Sequence, residues 1–336
     1  MFKVTSLTLY FQNNFDMFFF ARNVFCALIF FVIADSKTSA NQIILELPKT
    51  FSGELGPFDR KKKYAGKKDF FRTDLKSRNY AKGNLSHADL RRANLMGSDL
   101  SGANLTKANL HGADFSASNM SDIRLAKAKL VRADLSFTNL IRANLDGANL
   151  AYANFHKSDL SRASLKTAEL IGSRLYSVKL VEGDLDGAKL EHADFRLADL
   201  RKTSFNGALL AKSQFYRTDF SGGSFIDASI FDSQFNRANL SDTNLNGAKL
   251  RGSKFELSDF SDATMAGADI SGANLEFAKS ITCKQLLTVK LFDKKTTKIP
   301  IYLKVEWKGS GVFICKRNIT PEIIARWESR LDLTDY

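Results

Sequence analysis

Few side chains in this sequence are of a type that could do chemistry. Four histidines, His87, His111, His156 and His192, could ligate a metal or move a proton, and three acids, Glu182, Asp184 and Asp186, stand close enough in sequence to suggest a calcium or acid/base site. Cys283 and Cys315 share the C-terminal segment and are candidates for a disulfide or for a pair of buried thiols. No GxGxxG, phosphate-loop or CxxC pattern occurs, and Gly309-Ser310-Gly311 reads as a turn. Asn318-Ile319-Thr320 fits a glycosylation pattern, but Pro321 follows it and chance matches such as Asn104-Leu105-Thr106 recur, so it carries no weight. What the histidines and acids can do depends on the elements that hold them.

The chain has 336 residues, 44% apolar and 25% charged, with a formal net charge of +13. This is the composition of a packed protein, not of a disordered one. Twenty Gly and four Pro exclude a collagen-like chain, and three Cys are too few for a disulfide-built scaffold. The 28 Phe against eight Tyr and two Trp show a demand for flat side chains without a polar handle.

A repeat explains that demand. Every fifth residue from Leu75 to Leu275 is apolar: all 41 are Leu, Phe, Ile or Met, apart from Tyr80. Two residues earlier in each repeat, 38 of 41 are Ala, Ser, Thr or Gly, the exceptions being Arg78, Ile123 and Val178. The residue between is often Asp or Asn, as in Ala103-Asn104-Leu105 and Ala133-Asp134-Leu135. A period of five suits neither an α-helix nor a simple strand, so the chain must turn by a fixed amount in each repeat.

These A(D/N)LxX units over residues 70–279 resemble the pentapeptide-repeat family. The resemblance implies an all-β solenoid, a right-handed quadrilateral β-helix in which the central apolar residue and the small residue face inward. Four sides of five residues make a coil of about 20, and stacked strands about 4.8 Å apart make a rod of roughly 50 Å. Residues 20 apart then lie over one another. Phe115, Phe155, Phe195, Phe215, Phe235 and Phe255 form one inner core ladder. The four histidines fall at four different phases of the coil, so no metal or catalytic cluster is expected. Arg162, Glu182 and Lys202 stack as an alternating charge column, a simpler use of the acids than an active site. No enzyme, cofactor or metal is expected.

Residues 1–40 read as a signal peptide: an apolar run from Asn23 to Ala34, then small residues to a cleavage point after Ala40. Met1 or Met17 could be the start. The expected location is therefore exported, periplasmic or secreted, with an inner-membrane anchor at residues 17–40 as the alternative. Residues 41–69 form an N-terminal flank, 70–279 the repeat body and 280–336 a small C-terminal helix and hairpin cap, with helices starting near Thr282 and at Thr320-Pro321.

One outward patch stands apart: His156, Lys157, Tyr176, Arg196, Leu197, Tyr216, Arg217 and Arg237 alternate aromatic and cationic groups on successive coils, a candidate binding surface. Val131, Ile171 and Phe231 share another column and suggest a homodimer, weakened by the intervening Glu191. The expected function is a rigid, non-catalytic binding or structural rod for a protein or an anionic envelope polymer. The resemblance also implies alternatives, a cytosolic regulator of a nucleic-acid enzyme such as DNA gyrase or an effector delivered to a host cell. Gyrase-binding members of the family are acidic rods that resemble DNA, and the basic net charge here leads to the expectation that this chain is no such mimic.

Overall fold

A computed structural model describes residues 69–290, 293, 295–309 and 312–332. The expected signal peptide, the anchor alternative and nearly all of the N-terminal flank lie outside the described residues. From Asp69 with Asp89 to Asp259 with Lys279, 39 successive parallel bridges join each Asp/Asn position to the residue 20 further on. The chain thus climbs one coil every 20 residues, with a bridge on each of four sides.

One repeat, Asn94 to Ser98, shows why the five positions differ. The Asn94 N–H donates to the Thr73 carbonyl below (3.0 Å), whereas the Leu95 and Gly97 N–H groups donate to the Asp114 and Ser116 carbonyls above (2.7 and 2.9 Å). The Ser98 N–H closes the corner on the Leu95 carbonyl (3.1 Å). The Met96 N–H points at no neighbouring coil, and the Asn94 side-chain oxygen accepts it (3.1 Å). All five backbone donors are therefore used, and the Asp/Asn position exists to satisfy the fifth. Where that position is Ser164 or Ser204, the capping oxygen comes from the coil below: Asp146 accepts from the Lys166 N–H (3.0 Å) and Asp186 from the Asn206 N–H (2.9 Å).

Each corner places its third residue at positive φ, at all 41 positions from Arg72 to Gly272; 12 are Gly and 29 are not. This is the type II turn pattern, which tolerates other residues at a cost of about 1–2 kcal/mol each. Two glycines have a second reason. The Tyr152 ring edge lies 2.7 Å from where a Gly172 Cβ would stand, and the Asp227 carboxylate would collide with a Gly247 Cβ.

The central and small residues line the interior, with Ile123 and Val178 accommodated at 0 and 1% exposure. Arg78, in the first described coil, remains exposed. Buried hydroxyls satisfy themselves on backbone carbonyls, as Ser213 does on Leu190 (2.7 Å) and Thr218 on Phe195 (2.8 Å). The ten fully buried Phe occupy three inner walls, since Phe205 and Phe225 form a second ladder and Phe220 and Phe260 belong to a third. Rings stack from coil to coil, Phe195–Phe215 at 5.4 Å, Phe215–Phe235 at 4.5 Å and Phe235–Phe255 at 5.0 Å. Edge contacts such as Phe215–Phe220 (5.2 Å) join one wall to the next. The fourth wall, Leu90 to Ile270, holds no Phe and rests on ten alanines, one per coil from Ala88 to Ala268.

Four elements follow the repeats: α1 (Cys283–Thr288), β1 (Leu303–Gly309), β2 (Val312–Arg317) and α2 (Pro321–Asp332). Thr282 caps α1 and exchanges hydrogen bonds with Gln285 in a capping box. The Gln285 amide then donates to the Phe260 and Ala263 carbonyls (3.1 and 2.8 Å), fastening α1 to the last coil. β1 and β2 pair antiparallel, and a disulfide between Cys283 and Cys315, Cα atoms 5.4 Å apart, ties β2 to α1.

Candidate functional site

The outward residues of each repeat are the Asp/Asn position and the two corner residues that follow the central one, so a surface column is a corner position read every 20 residues. On the corner after the main Phe ladder, His156 stacks on Tyr176 with centroids 5.4 Å apart and planes 19° off parallel. The Arg196 guanidinium sits 5.7 Å from the Tyr176 centroid, and Arg217 lies 5.5 Å from Tyr216. Arg196 is also held in a fork by Asp194 (2.8 and 2.7 Å), a hydrogen bond that raises the guanidinium's already high pKa. Leu197 and Tyr216 remain exposed. No ring contact or ion pair joins Arg237 to this ridge among the described residues.

Sequence reasoning missed Phe137. It is 57% exposed, meets His156 edge-on at 5.4 Å and carries the Lys157 ammonium 6.0 Å from its centroid, extending the ridge by one coil. Its signal was available: a Phe at an outward corner, 20 residues before Lys157.

The acids close in sequence separate in space. Glu182 accepts from the Arg162 guanidinium (2.9 Å), Asp184 pairs with Lys166 (2.9 Å), and Asp186 caps backbone. Lys202 forms no ion pair among the described residues, so the expected three-member column is a pair. No group of three or more His, Cys, Asp or Glu that could hold a metal occurs among the described residues. The Val131, Ile171 and Phe231 column is half-buried.

Charge pairing within and between coils also sets an acid limit. The Arg201 hydrogen bond holds Asp199 below the usual carboxylate range, and the Arg142 fork does the same for Asp122. Because these folded-state values are lowered, their stabilisation is present at neutral pH and disappears as pH falls through them. Melting temperature is expected to be flat from pH 7 to about 5 and to fall below about pH 4; a melting temperature unchanged at pH 3 would contradict this.

Charge along the repeats is uneven. Residues 70–149 hold 12 Lys and Arg against seven acids, residues 150–219 hold 11 against nine, and residues 220–279 hold five against eight. In the last group Asp227, Asp232, Asp242 and Asp262 are exposed corner residues with no ion pair among the described residues.

A pentapeptide-repeat family model matches in eight copies, over residues 84–122, 128–166, 168–207, 198–237 and 238–276. No curated protein matches the chain. Among solved structures it is similar to HetL, a pentapeptide repeat protein involved in heterocyst differentiation regulation from the cyanobacterium Nostoc sp. PCC 7120, at 27% identity and TM-score 0.48, covering 62% of this chain and 92% of HetL. It is also similar to full-length QnrB1, a plasmid-mediated fluoroquinolone resistance protein (16%, TM-score 0.29, 71% and 99% covered), and to the pentapeptide repeat protein Rfr23 from the cyanobacterium Cyanothece 51142 (19%, 0.26, 39% and 90%).

Two expectations are corrected. The exclusion of DNA mimicry is withdrawn, because its electrostatic argument used a chain-wide net charge that hides the acidic coils at 220–279. The exported location, periplasmic or secreted, and its alternative of an inner-membrane anchor at residues 17–40 are withdrawn, and the segment on which both rest lies outside the described residues. No helix among the described residues is long and apolar enough to cross a membrane. The family match spans more than half of the chain, its repeats coincide with the bridged coils, and the chain is a non-catalytic member of the pentapeptide-repeat family.

Proposed function

We propose that this chain is a protein-binding rod that regulates a nucleic-acid enzyme, with DNA gyrase the first to test. The body at 70–279 is read as a right-handed, four-sided β-helix and residues 280–336 as its cap. The observation that carries this reading is the axial change of charge, ending in coils where four exposed corner carboxylates form no ion pair among the described residues. Regularly spaced carboxylates on a rigid support are what a surface built for a phosphate backbone would accept. The aromatic and cationic ridge from Phe137 to Arg217 supplies a second, sequence-specific contact, since buried aromatic and Arg groups anchor protein interfaces.

The test is a titration of gyrase supercoiling with the full chain. Wild type is expected to inhibit or modulate the reaction. Changing Asp227, Asp232, Asp242 and Asp262 together to Asn should weaken the effect at least tenfold, and changing Tyr176, Arg196, Tyr216 and Arg217 to Ala should weaken binding with the coils intact. A wild-type chain without effect on gyrase ends the gyrase reading, and an unaffected ridge variant ends the role of the ridge.

A further inference from the structure

The basic coils carry a second feature on a different corner and face. An open cleft of about 500 Å³ is lined by Arg91, Asn109, His111, Lys127, Lys129 and Asn149, with Ala128 and Val131 as its apolar floor. We propose that this cleft binds a small ligand carrying an oligophosphate group.

The two lysines there are among the cations of the repeats that no acid takes up among the described residues. On the same face three coils on from Lys129, Lys189 donates to Glu169 (2.9 Å), and on the opposite face Lys179 pairs with Asp159 (3.5 Å). Lys129 instead has Asn109 beneath it and Asn149 above it in the bridge ladder, both neutral. Neither Lys127 nor Lys129 has an ion pair among the described residues, and the Asn109 and His111 side chains have no hydrogen-bond partner there. The corner above Lys127 is Gly147, so no side chain covers the ammonium from that side.

The chemistry of the free donors selects the ligand. The one guanidinium at the cleft, Arg91, is already held in a fork by Asp89 (2.8 and 2.6 Å), which removes the planar group best suited to a carboxylate. What remains is two ammonium groups, an imidazole and a carboxamide. Ammonium groups act as point charges and suit tetrahedral phosphate oxygens. A volume of about 500 Å³ falls in the range of small-molecule sites, and the Ala128–Val131 floor can take the carbon part of such a ligand.

Calorimetric titration of the full chain with inorganic tripolyphosphate tests this, with ATP and adenosine as separate arms. The chain should bind tripolyphosphate, and Lys127→Gln with Lys129→Gln should weaken binding about tenfold or more. Lys249→Gln with Lys254→Gln, in the acidic coils, should leave affinity unchanged, and circular dichroism should be alike for all three proteins. ATP binding more tightly than tripolyphosphate identifies a nucleotide as the ligand, and equal affinities identify the phosphate chain alone; either supports the site. Absence of tripolyphosphate binding, binding of adenosine alone, or equal loss in both double variants overturns it. A failure here leaves the gyrase reading standing, since that rests on other coils and another assay.

Discussion

Phe215→Ala is expected to destabilise the repeat body by about 3–5 kcal/mol, and Phe215→Asp to unfold the coils around it. Phe215 has no exposed surface and lies between Phe195 (5.4 Å) and Phe235 (4.5 Å), with the Phe220 edge at 5.2 Å. Truncation leaves a cavity that stacked coils cannot collapse, because the bridges at Gln214 fix the distance to the coils on both sides. Phe215→Leu, which keeps most of the volume, should cost much less. The aspartate would place an unpartnered charge among rings, a penalty comparable with the net stability of a typical domain. Since each coil touches only its neighbours, the damage should concentrate near residues 195–235. Urea unfolding with hydrogen exchange would read this: an unchanged midpoint for Phe215→Ala, or exchange rising equally in distant coils such as 90–110, would contradict it.

The fold was readable because one rule repeats without interruption. Leu95, Ala93 and Asn94 announce the inner residue, the small residue beside it and the corner cap, and the same three roles recur at Leu145, Ala143 and Asn144. Composition alone could not say how many walls carry Phe. Reading one column finds Phe195, Phe215 and Phe235, whereas Phe205, Phe220 and Phe225 belong to columns that are mostly Leu, and their edge contacts arise only when the walls face one another.

The candidate surfaces were less readable for two physical reasons. A corner side chain is long and chooses among partners, so sequence places Arg196 beside Tyr176 but does not show that Asp194, two residues earlier, holds its guanidinium. Net charge is a sum, and a partner meets a surface. The chain's +13 conceals coils in which Asp227, Asp232, Asp242 and Asp262 are exposed without an ion pair among the described residues, and the same sum conceals that Lys129 stands between two asparagines.

Removing residues 280–336 is expected to convert the protein from a stable species to an aggregating one. Every side of the last coil depends on that segment. The Gly267 N–H donates to the Thr288 carbonyl (2.8 Å), the Lys290 N–H to the Ala268 carbonyl (2.8 Å), and the Leu275 N–H to the Lys298 carbonyl (2.8 Å), while the Lys298 N–H returns a bond to Ala273 (2.9 Å). Gln285 covers the Phe260 side, and Thr297 accepts from the Gly272 N–H (3.0 Å). Ile281, Leu286 and Leu303 bury themselves against the apolar end of the core. Without them the last coil presents open parallel edges above Phe260, Met265, Ile270 and Leu275, a template for another chain. Changing both Cys283 and Cys315 to Ser should act more gently, losing about 2–4 kcal/mol of cross-link stabilisation while the hydrogen bonds still cover the coil. Light scattering and thermal melts of the two variants separate the contributions. A truncated chain that stays monodisperse and melts with the wild type would show that the repeats close their own end, because the hydrogen bonds and apolar contacts named here would then be contributing nothing measurable.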